Sequence, residues 1–185
     1  DDLRADPARI QELQDEVKRY AAVAVPGILP IRNVLSHEGR TYVVTPYLQG
    51  MTLREMLARQ GRVAPENAAL LMRAVLTVLD TLHRQAPPML HLDLTPDHIL
   101  LSGWDRAMLL DGAWLKVLGN PFPHRAPISN VDYAAPEVIR GQAVPASDLF
   151  ALGVTMLEAI TGVTAARLHN AYSNKIAWEP IPHQG

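Results

Sequence analysis

Two aspartates and a histidine in the middle of the chain carry side chains that could take part in chemistry. Asp93 and His98 lie within residues 91–100, and Asp111 follows Asp93 by 18 residues. Carboxylates orient hydroxyl groups and bind hard cations, and imidazole exchanges protons near neutral pH or binds metal ions. Each residue also has an ordinary structural interpretation. Asp93 could cap a turn, Asp111 could belong to an Asp-Gly turn, and His98 could be a half-buried polar side chain.

The composition excludes several other kinds of chemistry. The 185 residues include no cysteine, so the sequence offers no disulfide, thiolate metal site or cysteine nucleophile. Seventeen Lys and Arg nearly balance nineteen Asp and Glu, which gives no bulk attraction to nucleic acid or to an anionic membrane surface. No apolar run reaches the roughly 18 residues that span a bilayer, and no signal peptide opens the sequence. We therefore expect no nucleic-acid partner, no membrane insertion and a cytoplasmic location.

The first part of the sequence predicts a helix followed by a β-hairpin. The Asp-Pro pair at residues 6–7 is typical of a helix start, and apolar residues then recur at helical spacing until residues 25–27. Strand-like stretches follow at residues 28–34 and 41–48, joined by a turn that contains glycine.

Two helices are predicted after the hairpin. Thr52 and Glu55 form a capping-box pair at the start of a short helix that ends near Gly61. Pro65 begins a longer helix with one apolar stripe, which ends before the Pro-Pro pair at residues 87–88.

The second half of the sequence is predicted to be strand-like and then helical. Residues 89–110 form short strand-like stretches with turns at residues 95–97 and 102–103. Residues 147–161 are apolar almost all round, which predicts a deeply buried helix, and Gly162 is a natural C-terminal cap. Because helices and strands do not alternate regularly, the order of elements predicts an α+β fold.

Five short motifs in a fixed order resemble those of a protein kinase. Residues 91–100 resemble the catalytic loop H-R-D-L-x-x-x-N, and Asp111 begins the Asp-Gly-Ala that stands where D-F-G belongs. Residues 135–137 reproduce A-P-E. Residues 147–153 resemble the start of the large buried helix of the C-terminal lobe, and residues 42–48 resemble the last strand of the small lobe and the hinge.

The resemblance is to bacterial-type Ser/Thr protein kinases and covers roughly residues 10–162. It implies a protein-kinase-like fold that is incomplete at both ends. We expect residues 1–46 to form a partial N-terminal lobe, with an αC-like helix and two strands. Residues 47–185 are expected to form a C-terminal lobe that is incomplete at its end. No G-x-G-x-x-G occurs in the sequence, so the Gly-rich strand and its Lys are expected upstream of residue 1.

The resemblance implies a role for each candidate site residue. Asp93 matches the carboxylate that orients the substrate hydroxyl, and Asp111 matches the principal metal ligand. His98 stands at the position of the Asn that holds the second metal ion. Glu16 matches the glutamate of the αC-like helix, with Glu12 as the runner-up one turn earlier.

The resemblance also implies where a nucleotide would bind. The hinge-like residues Thr45, Pro46, Tyr47 and Leu48, together with Glu16, are the expected contacts. ATP and Mg²⁺ are the implied cofactors, bound weakly or not at all.

The two aspartates are expected to converge on one cleft beside the buried helix. Asp148, near the start of that helix, resembles the residue that hydrogen-bonds the catalytic-loop backbone. Placing D-F-G at residues 119–121 would require an insertion between the motifs, so Asp111 is preferred as the partner of Asp93.

Five positions depart from the pattern of the family, which has Arg, Lys, Asn, Phe and Thr there. They are Leu92, Thr95, His98, Gly112 and Asn130. Imidazole is a softer ligand than an amide oxygen and binds Mg²⁺ less well. Leu92 cannot pair with a phosphorylated activation segment, so that form of regulation should be absent.

Three functional hypotheses follow from the resemblance. The five departures favour a pseudokinase that binds a protein partner as a scaffold or regulator, because lost charges and ligands weaken transition-state stabilisation. Survival of Asp93 and Asp111 favours a divergent, active Ser/Thr protein kinase that transfers the ATP γ-phosphate to a protein hydroxyl. The third hypothesis is a structural subunit of a larger assembly.

Overall fold

The structure is a computed structural model that describes residues 25–37, 40–110, 112, 130–170 and 175–176. Several predictions made from the sequence lie outside these residues. They concern the helix that begins at residues 6–7, the candidates Glu12 and Glu16, and Asp111.

Short helices and small antiparallel sheets make up the described fold. The elements are β1 (Asn33–His37), β2 (Arg40–Val44), β3 (Met51–Thr52), α1 (Leu53–Gln60), α2 (Pro65–His83), β4 (Ile99–Gly103), β5 (Arg106–Leu109), α3 (Pro136–Ile139), α4 (Pro145–Thr161), α5 (Ala165–Leu168), β6 (His169–Asn170) and β7 (Lys175–Ile176). The strands pair as β1–β2, β3–β4–β5 and β6–β7. This arrangement confirms the predicted α+β class.

The hairpin of β1 and β2 lies in the predicted region, but β1 begins later and β2 ends earlier than predicted from residues 28–34 and 41–48. Ile28 forms a parallel bridge with Leu109 of β5, so the chain before β1 pairs elsewhere. Pro46 has no amide donor and cannot extend a ladder beyond β2. The start of β1 therefore depends on the pairing of Ile28 with a distant strand, and the end of β2 depends on Pro46.

Helices α1 and α2 follow the predicted bounds closely. Thr52 Oγ1 accepts a hydrogen bond from Glu55 N at 3.2 Å, and Glu55 Oε2 accepts one from Thr52 N at 2.9 Å, which confirms the capping box. Gly61 ends α1 with a φ of 78°, a conformation that favours glycine. Pro65 opens α2 at a position where no amide donor is needed.

Helix α4 is buried on most sides, as predicted, and begins two residues earlier than expected. Val63 N donates to Ala159 O at 2.7 Å, so even the last turn of α4 is covered by the chain before α2. Gly162 caps the helix with a left-handed φ of 70°. Within the described part of the chain, no helix has both the length and the apolar character needed to cross a membrane.

One hydrophobic core joins the helices to the strands. Its members from α2 and α4 include Leu71, Val75, Leu82, Leu152 and Met156. The segment before β1 contributes Val25, Ile28 and Ile31, and β5 contributes Leu109. The core therefore includes side chains from both sides of the hinge-like segment.

The strand-like region before residue 110 is partly extended chain without strand pairing. Residues 89–94 belong to no strand, and the turn predicted at residues 102–103 is wrong. Gly103 still lies in β4 and pairs with Arg106, so the turn falls at residues 104–105. The predicted turn at residues 95–97 is confirmed as the start of a short 3₁₀ turn, Pro96–His98.

Candidate active site

Residues 91–98, called here the loop segment, are fixed to the N-terminal part of α4 by Asp148. The Asp148 side chain is fully buried, and its two oxygens accept hydrogen bonds from His91 N at 2.9 Å and Leu92 N at 2.7 Å. His83 Nε2, at the end of α2, lies 2.8 Å from Asp148 Oδ2. The contact between Asp148 and the loop backbone that the resemblance implied is therefore confirmed.

A second side chain of α4 holds the loop segment further along. Thr155 Oγ1 donates to Leu94 O at 3.0 Å, and both residues are fully buried. At the first attachment, Leu92 has a φ of 56°, a left-handed conformation that residues other than glycine rarely adopt. The anchors on α4 keep the loop segment in this unusual conformation, which brings Asp93 to its position.

His91 joins the loop segment to the chain just before Asp111. Its ring is fully buried, and its Nε2 lies 3.1 Å from Leu110 O, while its Nδ1 accepts from Asp93 N at 3.3 Å. Burial lowers the pKa of His91 to about 4, so the ring is neutral at pH 7. Nε2 therefore carries the proton and donates to Leu110.

The loop segment is thus a neighbour of Leu110, the residue just before the Asp-Gly-Ala motif. Leu110 N also donates to His98 O at 2.9 Å. Asp111 itself lies outside the described residues, and its role as a metal ligand stays a prediction.

Asp93 faces an imidazole. Its side chain is 3% exposed, and its Oδ2 lies 3.1 Å from His98 Nδ1. The same nitrogen lies 2.8 Å from Asp93 O and 3.3 Å from Thr95 Oγ1. Because the backbone carbonyl oxygen of Asp93 can only accept, His98 Nδ1 is the donor and carries a proton. The residue at the position of the family's Asn therefore donates to the Asp93 backbone and lies next to the Asp93 carboxylate.

These residues do not fit a second Mg²⁺ ion. With Nδ1 committed to Asp93, His98 offers only Nε2, and Mg²⁺ prefers oxygen ligands. Among the residues that the structure describes, no group of three or more His, Asp or Glu side chains could hold a metal ion. The assignment of His98 as a metal ligand remains a prediction that the observed contacts do not favour.

The hinge-like segment connects β2 to β3. Thr45, Pro46 and Leu48 are half-buried, whereas Tyr47 is 91% exposed. None of the four lines the recess beside Asp93. Their predicted contact with a nucleotide is not tested by this arrangement.

A shallow recess lies in front of Asp93, between the loop segment and residues 130–138. Its walls include Leu92, Thr95, Tyr133, Ala135, Val138 and Ala151. The Ala-Pro-Glu motif forms the start of α3, and Glu137 Oε1 accepts from Ser147 Oγ at 2.6 Å. This contact fastens α3 to α4 next to the recess.

Sequence reasoning missed a polar cluster behind the recess, formed by Arg54, Tyr133 and Glu158. Arg54 Nη2 donates to the Tyr133 hydroxyl at 2.8 Å, Nη1 pairs with Glu158 Oε1, and Tyr133 donates to Glu158 Oε2. Burial, and then the hydrogen bond to Glu158, raise the pKa of Tyr133 above its ordinary value. The sequence does hold one signal, because Glu158 and Asp148 are the only charged residues in the apolar stretch 147–161.

A buried aspartate, held on a loop by two side chains of a central helix and followed by a β-hairpin, defines the C-terminal-lobe core of a protein kinase. The Ala-Pro-Glu motif at the start of α3, which Glu137 joins to the central helix, belongs to the same class of fold. The family model for the protein kinase domain matches residues 2–179. The chain therefore belongs to the protein kinase family.

Relatives and a solved structure agree with this assignment. Over 169 residues the chain is 30% identical to the serine/threonine-protein kinase PknE of Mycobacterium tuberculosis, covering 86% of this chain and 28% of PknE. Over 164 residues it is 26% identical to the serine/threonine-protein kinase PrkC of Bacillus subtilis, covering 87% of this chain and 25% of PrkC. The chain thus spans about a quarter of the length of these curated relatives.

The crystal structure of a double mutant of the Mycobacterium tuberculosis PknI kinase domain is also similar. It matches with a TM-score of 0.62 and 25% identity, over 86% of this chain and 60% of that chain. The predicted protein-kinase-like fold and the resemblance to bacterial Ser/Thr protein kinases are both confirmed.

Proposed function

We propose that this chain is part of a pseudokinase, a Ser/Thr protein-kinase-like domain that transfers phosphate poorly or not at all. It acts by binding a protein partner, as a scaffold or regulator, in the cytoplasm. The observation that carries the proposal is the contact of 3.1 Å between His98 Nδ1 and Asp93 Oδ2. Protein kinases as a family use ATP and Mg²⁺, and we propose weak or absent binding of both by this chain.

The contact weakens both functions that the loop segment has in the family. A ring nitrogen 3.1 Å from one carboxylate oxygen competes with a substrate hydroxyl for that oxygen. The imidazole also replaces an amide oxygen at the position of the second metal ligand. Thr95 adds no positive charge where the family has Lys. Phosphoryl transfer depends on such charges, and each loss of about 1.4 kcal/mol of transition-state stabilisation slows it tenfold.

The test is incorporation of labelled phosphate from ATP and Mg²⁺ by the full-length protein. We expect incorporation no greater than that of the Asp93→Asn variant, which lacks the hydroxyl-orienting carboxylate. Clear incorporation by the wild-type protein that Asp93→Asn abolishes would overturn the proposal.

A divergent, active Ser/Thr protein kinase is the second candidate. The observation in its favour is that Asp148, Thr155 and His91 hold the loop segment with Asp93 in a fixed position next to α4. An active enzyme must bind its nucleotide, so titration of the full-length protein with ATP and Mg²⁺ separates the two candidates. Absence of binding at millimolar nucleotide would exclude the active kinase.

A further inference from the structure

Arg54 contacts three separate segments through its three guanidinium nitrogens. Nε lies 3.2 Å from Asp97 Oδ2 in the loop segment. Nη1 pairs with Glu158 of α4, and Nη2 donates at 2.8 Å to the hydroxyl of Tyr133, which precedes α3. One side chain of α1 therefore connects the loop segment, the central helix and the segment in front of Asp93.

Glu158 makes the presence of Arg54 necessary. Its side chain is 3% exposed, and a buried carboxylate is costly unless it is paired and hydrogen-bonded. Its Oε2 accepts from the Tyr133 hydroxyl and from Ala165 N at 3.2 Å, while Arg54 neutralises its charge. The neutral donors alone would leave the negative charge of Glu158 uncompensated inside the protein.

Tyr133 connects this cluster to the candidate site. Its ring packs with Val154 and Ala165 on one side and lines the recess beside Asp93 on the other. Its hydroxyl has both a donor and an acceptor within the cluster. The position of one wall of the recess is therefore set by contacts that lie behind it.

We propose that Arg54 is a positioning residue that fixes the segment 130–135 and the loop segment relative to each other. The three contacts keep the recess in front of Asp93 assembled through side chains of this chain alone. Because the guanidinium group is planar and offers donors in several directions, an ammonium group cannot reach the three acceptors together. The proposal goes beyond the proposed function, and it applies whether or not the domain transfers phosphate.

The experiment measures amide hydrogen exchange of the full-length protein by mass spectrometry. In Arg54→Gln we expect exchange to rise at least tenfold in peptides covering residues 130–139 and residues 93–98, with peptides of α2 unchanged. In Tyr133→Phe, which keeps the ring but removes the hydroxyl, the rise should be confined to residues 130–139. In Arg54→Lys, amide exchange in both segments should remain faster than in the wild-type protein.

The matched control is Arg84→Gln. Arg84 pairs with Asp80 at 2.8 Å at the exposed end of α2, and its loss should leave amide exchange unchanged in both segments. Unchanged exchange in both segments of Arg54→Gln would overturn the proposal. So would a uniform rise across all peptides in both Arg54→Gln and Tyr133→Phe, or full protection in Arg54→Lys. Amide exchange does not depend on phosphate transfer. The proposal for Arg54 can therefore fail while the proposed function stands, and the proposed function can fail while the proposal for Arg54 stands.

Discussion

Asp148→Asn removes the carboxylate that holds the loop segment on α4. In the wild-type protein the two carboxylate oxygens accept from His91 N at 2.9 Å and from Leu92 N at 2.7 Å. An amide side chain has one oxygen and one NH₂ group, so one of these backbone donors would face another donor. The side chain is fully buried, which leaves no water to replace the lost acceptor.

The cost can be worked out from these contacts. A buried donor without an acceptor costs about 1–3 kcal/mol, and the remaining hydrogen bond loses about 1 kcal/mol with its charge. Relaxation of the left-handed Leu92 returns about 1 kcal/mol. The expected net loss in the free energy of unfolding of Asp148→Asn is therefore about 1–3 kcal/mol.

The assay is urea unfolding of the full-length protein, followed by circular dichroism. The control is Asp80→Asn, which removes a carboxylate that is 61% exposed and pairs only with surface Arg84 among the described residues. Its loss should stay below about 0.5 kcal/mol. If Asp148→Asn cost no more than this control, the reasoning that α4 holds the loop segment through Asp148 would be refuted.

Three further predictions concern a pKa, a helix cap and the candidate site. The pKa of His91 is lowered to about 4 by burial, so the unfolded chain binds more protons between about pH 4 and the ordinary pKa of about 6.5, and stability falls as pH drops through this range. The free energy of unfolding, measured in urea, falls between pH 7 and pH 4, and this fall should be roughly 3 kcal/mol smaller in His91→Gln than in the wild-type protein. An unchanged fall would show that burial does not lower the pKa of His91. Gly162→Ala should cost about 1–2 kcal/mol in the same assay, because φ is 70° and a Cβ would lie 2.7 Å from a backbone oxygen. Its control is Gly153→Ala inside α4, where a Cβ meets nothing within 4 Å, and a gain of up to about 1 kcal/mol is expected; equal effects of the two would contradict the steric reasoning. His98→Asn should raise labelled-phosphate incorporation at least tenfold over wild type, since it removes the imidazole from Asp93; no rise would show that the imidazole is not what limits transfer.

Local signals made most helices predictable from the sequence. The Thr52–Glu55 pair, Pro65 and Gly162 act within one turn of the chain, and each stands where the structure places a helix end. The strand bounds were less accurate, because the pairing of Ile28 with Leu109 depends on residues far apart in the sequence. A pattern of neighbouring residues cannot reveal which distant strand a segment will join.

The candidate site was also predictable from the sequence only in part. The position of Asp93 and its anchor Asp148 followed from motifs that resemble those of a known family. The contact of His98 with Asp93 did not, because residue types do not tell which way a ring will turn. Arg54 lies 104 residues from Glu158 in the sequence, and only the isolated charge of Glu158 in an apolar helix pointed to an unseen cation.

The bridge between Ile28 and Leu109 bears on how this protein can be divided in the laboratory. Val25, Ile28 and Ile31 are each less than 10% exposed and share one core with Leu109. A recombinant fragment that starts at residue 47 would leave the β5 side of that core open to solvent and prone to aggregation. Expression of the helical lobe should therefore retain the chain from residue 25 onward, although that stretch precedes the hinge.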